Sequence, residues 1–188
     1  NYFYFRRQDQ FLQAVYNEVV KNPEIACKCK FNDYIKPIIE IGGADPIKVL
    51  DPFSKRFKKN NITVKIYEKN QFFRGNIIND FLNIFHIDLD ENFFFIKNNP
   101  NPHLSAVALE IIRRFNNYEV SNRKKLNEII RNIIGELYIE TVFSEHNIIS
   151  THEKQHLLNM FSKSNSIVAR EYLGDETGLL FKEKIQMS

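Results

Sequence analysis

The chain opens on an unbroken aromatic run, Tyr2-Phe3-Tyr4-Phe5, which reads as a buried strand. Beyond it the period changes. Phe11, Leu12, Val15, Tyr16, Val19 and Val20 recur with the spacing of an apolar helix face, so a helix is predicted with Asp9 as its cap and Asn22-Pro23 as its stop. A short helix is predicted over residues 34–41, with Pro37 in an early turn, and Gly42-Gly43 reads as a loop. Asp45-Pro46 opens another through Phe57, with Asp45 as cap and Pro46 at the first helical position. Residues 62–67 alternate and are rich in β-branched side chains, which predicts a second strand. After a loop reaching Gly75, Ile77, Ile78, Phe81, Leu82 and Phe85 line one helical face.

Residues 92–102 read as an extended apolar piece, Phe93-Phe94-Phe95-Ile96, followed by a loop. Everything after it reads as helical. Ser105 starts a helix with Val107, Ala108, Ile111, Ile112 and Phe115 facing inward, and Ser121 starts one carrying Leu126, Ile129, Ile130, Ile133 and Ile134. Ser150-Thr151-His152-Glu153 is a capping box for a helix reaching Met160, and Ser164 begins a last helix ending at Gly174. Two strand–helix units and an all-helical tail imply an α/β protein with a parallel sheet and a largely helical C-terminal half.

Composition narrows the class. A chain of 188 residues, 43% hydrophobic with 17 Phe, suits one globular domain over residues 1–188 and excludes disorder, while 6 Gly and 6 Pro exclude collagen-like order. No apolar run reaches the roughly 18–20 residues of a membrane helix. A net charge of +3 is too balanced to point to nucleic acid as a partner. Cys27 and Cys29, the only cysteines, are too few for a disulfide framework and too close in sequence to be well placed for a bridge. Local metal-ligand partners are lacking, so they read as reduced thiols of a cytoplasmic protein. Asn1 stands directly against a strand, so the chain is read as cut from a longer one.

The segment Phe5-Arg6-Arg7-Gln8-Asp9 carries the chemistry. The carboxyl end of a strand opening onto a helix N-terminus is where α/β folds hold anionic groups, and an arginine there adds a bidentate contact to phosphate. Arg6 and Arg7 are therefore a candidate phosphate clamp; the other reading pairs one with Asp9 and leaves the other solvated. His152-Glu153-Lys154-Gln155-His156 matches the zinc pattern H-E-x-x-H, which would make the chain a hydrolase through His152 and His156. Lys154 inside the pattern and the capping use of Ser150 and Glu153 argue against that, and no metal is assigned. His86, His103 and His146 read as surface or capping residues, the runs at residues 55–59 and 123–125 as solvated faces, and Phe93-Phe94-Phe95 as core.

The run from Arg6 to Asn17 resembles the 3′-phosphate-binding segment of sulfotransferases, in the version found in bacterial carbohydrate and capsular polysaccharide sulfotransferases. There an arginine ends a strand, a serine follows eight residues on, and a tyrosine two later; Arg6, Ala14 and Tyr16 take those positions. Val64-Lys65-Ile66-Tyr67-Glu68 with the helix ending Asp80-Phe81-Leu82 is similar to the family's next strand–loop–helix unit. Asn101 to Ser105 with Arg113 to Asn116, and Phe161 to Ser166 with Ala169 to Gly174, resemble later pieces in the same order. The resemblance covers roughly half the chain, which corresponds to the C-terminal portion of the family's domain. It implies a P-loop-type α/β fold with part of its sheet missing, and 3′-phosphoadenosine 5′-phosphosulfate (PAPS) as donor. It further implies sulfuryl transfer to a hydroxyl or amine of a small-molecule or saccharide acceptor, with Arg6 on the donor's 3′-phosphate and Arg7 adding positive charge. Two departures stand out: Ala14 replaces the serine, and Gly42-Gly43 has neither the basic residue nor the preceding strand of a phosphate loop, which is expected upstream of Asn1. These departures also suit a non-catalytic binding module derived from the same fold.

Overall fold

The computed structural model describes residues 1–89, 93, 104–136 and 148–185. The two predicted strands pair in parallel, β1 (Tyr2–Phe5) beside β2 (Thr63–Ile66), with Tyr2 opposite Thr63 and Phe5 opposite Ile66. Between them the chain forms α1 (Gln8–Lys21), α2 (Phe31–Glu40) and α3 (Pro46–Phe57). Then follow α4 (Ile77–Asn83), α5 (Ala106–Phe115), α6 (Arg123–Glu136), α7 (Thr151–Met160) and α8 (Ser162–Leu173). The architecture is mixed α/β and mostly helical, with a small parallel sheet. Among the described residues no helix is long and apolar enough to cross a membrane.

Apolar burial falls into two clusters. Leu12, Tyr16 and Val20 of α1 pack with Phe31 and Ile35 of α2, Ala108, Leu109 and Ile112 of α5, and Leu157 of α7. Leu50 of α3, Val64 and Ile66 of β2, Val168 and Ala169 of α8, and Leu180 and Phe181 of the C-terminal tail form the other. The tail thus covers the sheet's own core. Buried asparagines stitch the helical cluster: the Asn116 amide donates to Val20 O and Cys27 O at 3.0 and 2.9 Å, and that of Asn127 donates to Lys21 O at 3.0 Å. The Val20 and Lys21 carbonyls lie at the end of α1 and have no partner within the helix, and that of Cys27 lies in the loop that follows.

Several elements depart from the pattern. Asp9 lies inside the first turn of α1 rather than capping it, because the buried Arg7 guanidinium takes its carboxylate in two charge-assisted bonds. Helix α2 starts at Phe31, so Pro37 sits in its interior; burying Phe31 and Ile35 against α1 outweighs the lost backbone bond. Helix α5 is turned so that Leu109 is buried and Phe115 exposed, since Asn116 takes the inward place. On α4 the buried residue is Asp80, while Ile78 and Phe81 are exposed, as is Phe85 beyond the end of the helix. The same holds for Ile129 and Ile133 of α6. Strand β1 is half-buried, with Tyr2 47% exposed, rather than a core strand. Helix α8 begins at Ser162, two residues before the expected Ser164. The stretch 92–102 lies outside the described residues except for Phe93, which is exposed.

Candidate functional site

The carboxyl ends of both strands meet at one edge. Arg6 and Arg7 follow β1 and lead into α1, which has no side-chain cap. Tyr67 and Glu68 follow β2. Arg6 is exposed; its guanidinium stands 5.2 Å from the centre of the Tyr67 ring and donates to Gln10 Oε1 at 3.3 Å. Among the described residues it has no carboxylate partner. Arg7 is the opposite. It is buried, with Nε and Nη2 donating to Asp9 at 2.7 and 3.0 Å and Nη1 to Glu183 O at 2.9 Å. Burial opposes its charge, but the Asp9 carboxylate, then Glu68 and Glu183, hold the guanidinium above its ordinary range. Arg7 is thus paired with Asp9, while Arg6 stays exposed at the strand end.

Glu68, 2% exposed, is the residue that sequence reasoning missed. Its carboxylate accepts from the backbone amides of Lys182 at 2.8 Å and Glu183 at 3.2 Å, and from Gln71 Nε2 at 2.6 Å. The C-terminal tail is therefore clasped across the ends of both strands, by Glu68 from β2 and by Arg7 from β1. Gln10, Tyr67, Glu68, Lys69, Phe72 and Glu183 line a cavity of about 390 Å³ beside Arg6. A second cavity of about 390 Å³ lies between Arg7, Lys154 and the tail residues Glu183 and Lys184. The only sequence signal for the clasp is the Tyr67-Glu68 pair after a strand; its partners lie more than a hundred residues away.

The edge is braced from both sides. Asp80 of α4 accepts from Tyr4 Oη at 2.6 Å, the Phe73 amide at 2.8 Å and Lys65 Nζ at 3.3 Å. Burial alone would raise its pKa, yet these three donors hold the carboxyl below the usual range. Gln8 and Asn165 exchange amide bonds at 2.7 and 3.2 Å, fixing the start of α1 to α8.

The other candidates fall elsewhere. Ala14 lies on α1 and offers no hydroxyl. Gly42-Gly43 forms the turn from α2 to α3, not a loop after a strand; Gly42 has φ 80°, and a Cβ there would collide with the Lys48 side chain. Ser150 and Glu153 make the expected capping box, with Ser150 N and Oγ donating to Glu153 Oε2 at 2.8 Å each. That occupies the glutamate of the H-E-x-x-H pattern, and His152 and His156 are exposed. Among the described residues no group of three or more His, Cys, Asp and Glu is placed to hold a metal ion. Arg123, expected on a solvated face, instead ties the turn after α5 through Asn116 Oδ1 at 3.0 Å and Tyr118 O at 2.9 Å. His103 and His146 lie outside the described residues; His86 is exposed.

Comparison with known proteins adds one relative. Over 188 aligned residues the chain is 29% identical to an uncharacterized protein of Archaeoglobus fulgidus, covering 96% of this chain and 48% of that protein. The chain therefore spans about half the relative's length. No family model and no solved structure matches the chain.

Proposed function

We propose that the carboxyl end of the sheet holds the 3′-phosphate of PAPS, in a sulfotransferase-like P-loop α/β fold. Transfer of the sulfuryl group to a hydroxyl or amine of a saccharide-type acceptor is the activity of this reading. One observation carries it: Arg6 is exposed at the end of β1, has no carboxylate partner among the described residues, and stands beside the uncapped start of α1. A phosphate there receives a bidentate guanidinium contact and helix amides together. Arg7, already committed to Asp9 and Glu183 O, positions the strand end and the tail rather than touching the donor. The residues that carry the resemblance also serve the site's frame, which supports the reading: Gln8 meets Asn165, and Asp80 meets Tyr4. The donor supplies the activated sulfuryl group; the chain's part is to orient it and to offset its charge.

Ala14 supports a second reading, a binding module of the same fold that holds the nucleotide without turning it over. Titration calorimetry with 3′,5′-adenosine bisphosphate tests the phosphate site that both share. Binding heat is expected, and Arg6→Ala should weaken affinity by about 10–100-fold, the equivalent of one charged hydrogen bond. No heat with millimolar ligand, or an affinity unchanged by Arg6→Ala, overturns the assignment. Radiolabelled sulfuryl transfer from PAPS then separates enzyme from binding module.

A further inference from the structure

We infer that Cys27 and Cys29 form a thiol–disulfide exchange site, a dithiol that closes to a disulfide within its own loop on meeting a small disulfide of the glutathione type. The two residues lie between α1 and α2, and their sulfurs are 3.0 Å apart. A disulfide bond is about 2.05 Å long, so closure asks for about 1 Å of approach. A separation of two residues in sequence suggested poor placement; the folded loop supplies the placement instead. Cys29 is exposed and open to a reagent, whereas Cys27 is half-buried behind it.

The loop is held in that shape from two helices. The Cys27 amide donates to Val19 O at 3.1 Å. The three carbonyls of Cys27, Lys28 and Cys29 accept respectively from Asn116 Nδ2 at 2.9 Å, Arg113 Nη1 at 2.8 Å and Tyr16 Oη at 2.9 Å. Asn116 and Tyr16 are themselves buried, so the clamp is rigid. A fixed pair of sulfurs in contact makes the second step intramolecular, which favours ring closure over a standing mixed disulfide. Partial desolvation, then the Cys27 hydrogen bond and charge, push the Cys29 thiol up to about 11.

The chemistry balances as two exchanges. The Cys29 thiolate attacks one sulfur of the small disulfide and releases one thiolate. The Cys27 thiolate then attacks the Cys29 sulfur and releases the second. The two cysteines are oxidised, the small disulfide is reduced to two thiols, and the two cysteine protons end on the released sulfurs.

The test equilibrates the folded protein in deoxygenated, chelator-treated buffers spanning reduced to oxidised glutathione. Acid quenching, alkylation with N-ethylmaleimide and intact-mass measurement follow. The doubly alkylated form should give way to one that takes up no reagent and is about 2 Da lighter than the dithiol. Mixed disulfide should stay a minor species. Cys27→Ser, which removes the resolving sulfur, should instead accumulate one glutathione per chain. Wild-type protein that stays doubly alkylated at the most oxidising ratio, accumulates the mixed disulfide as the variant does, or links two chains on a non-reducing gel overturns the inference.

Discussion

Replacing Glu68 with glutamine removes one acceptor oxygen while keeping the side chain's size. Its carboxylate serves three donors, and two of them are the backbone amides of Lys182 and Glu183. The new amide group must face at least one of these donors, leaving a tail N–H without an acceptor. A bond to a charged acceptor contributes about 1.5–3 kcal/mol, and the orphaned donor adds to the loss, so the clasp should weaken by about 2–4 kcal/mol. Against this, Leu180 and Phe181 remain buried in the sheet's core, each stabilising the tail by about 1.5–3 kcal/mol. The hydrophobic anchor wins at residues 180–181, and the tail frays from Lys182 onward. Hydrogen exchange read by mass spectrometry should show a C-terminal peptide losing about 30–1000-fold in amide protection while β1 and β2 keep theirs. Tail protection unchanged within about threefold would mean the clasp contributes nothing measurable. Equal loss in both strands would mean the tail is part of the global unfolding unit, and the reasoning fails.

Three other outcomes follow. Asp80→Ala strips the acceptor from Tyr4 and the Phe73 amide and the partner from Lys65; a cost of about 3–5 kcal/mol and a fall in Tm of about 6–20 °C are expected, and an unchanged melting curve contradicts the brace. Glu110 is held at about 2, first by Arg113, with burial opposing and Arg114 assisting. A lowered carboxyl adds stability that is present above its unfolded value of about 4.3 and is lost as pH falls through the folded one. Since the Glu110 side chain is 44% exposed, solvent screening limits its share to about 0.5–1 kcal/mol. The urea-midpoint gap between wild type and Glu110→Gln should therefore be full near neutral pH and close as pH falls below about 4; a gap that does not move with pH contradicts this. Ala14→Ser restores the missing hydroxyl and should tighten 3′,5′-adenosine bisphosphate binding by about 10–100-fold in calorimetry, whereas an unchanged affinity separates residue 14 from the site.

What could be read along the chain was what is decided within a few residues. Asp45 caps α3 through the amides of Ile47 and Lys48, Ser150 and Glu153 close their box, and Gly174 ends α8 in the left-handed conformation. Strand β2 showed its buried Val64 and Ile66 by alternation. Contacts distant in sequence stayed hidden. Nothing near Asp9 reveals that Arg7 will be buried and claim its carboxylate, and nothing near Phe31 reveals the α1 face that pulls α2 three residues earlier. Periodicity put Phe115 inside because it cannot foresee Asn116 reaching two carbonyls at the end of α1 and in the following loop. The arginine pair stands where β1 ends and α1 begins, but that Arg7 is engaged while Arg6 is exposed could not be read locally, because the Glu183 carbonyl of the tail meets Arg7 from 176 residues away.

The central claim is that Arg6 holds a 3′-phosphate, and a two-by-two comparison of affinities tests it most directly. Wild type and Arg6→Ala are each titrated with 3′,5′-adenosine bisphosphate and with adenosine 5′-phosphate, which lacks the group in question. The expected result is a loss of about 10–100-fold for the bisphosphate alone, with the monophosphate changed by less than about twofold. Equal losses for both nucleotides, or none for either, contradict the placement of that phosphate at Arg6.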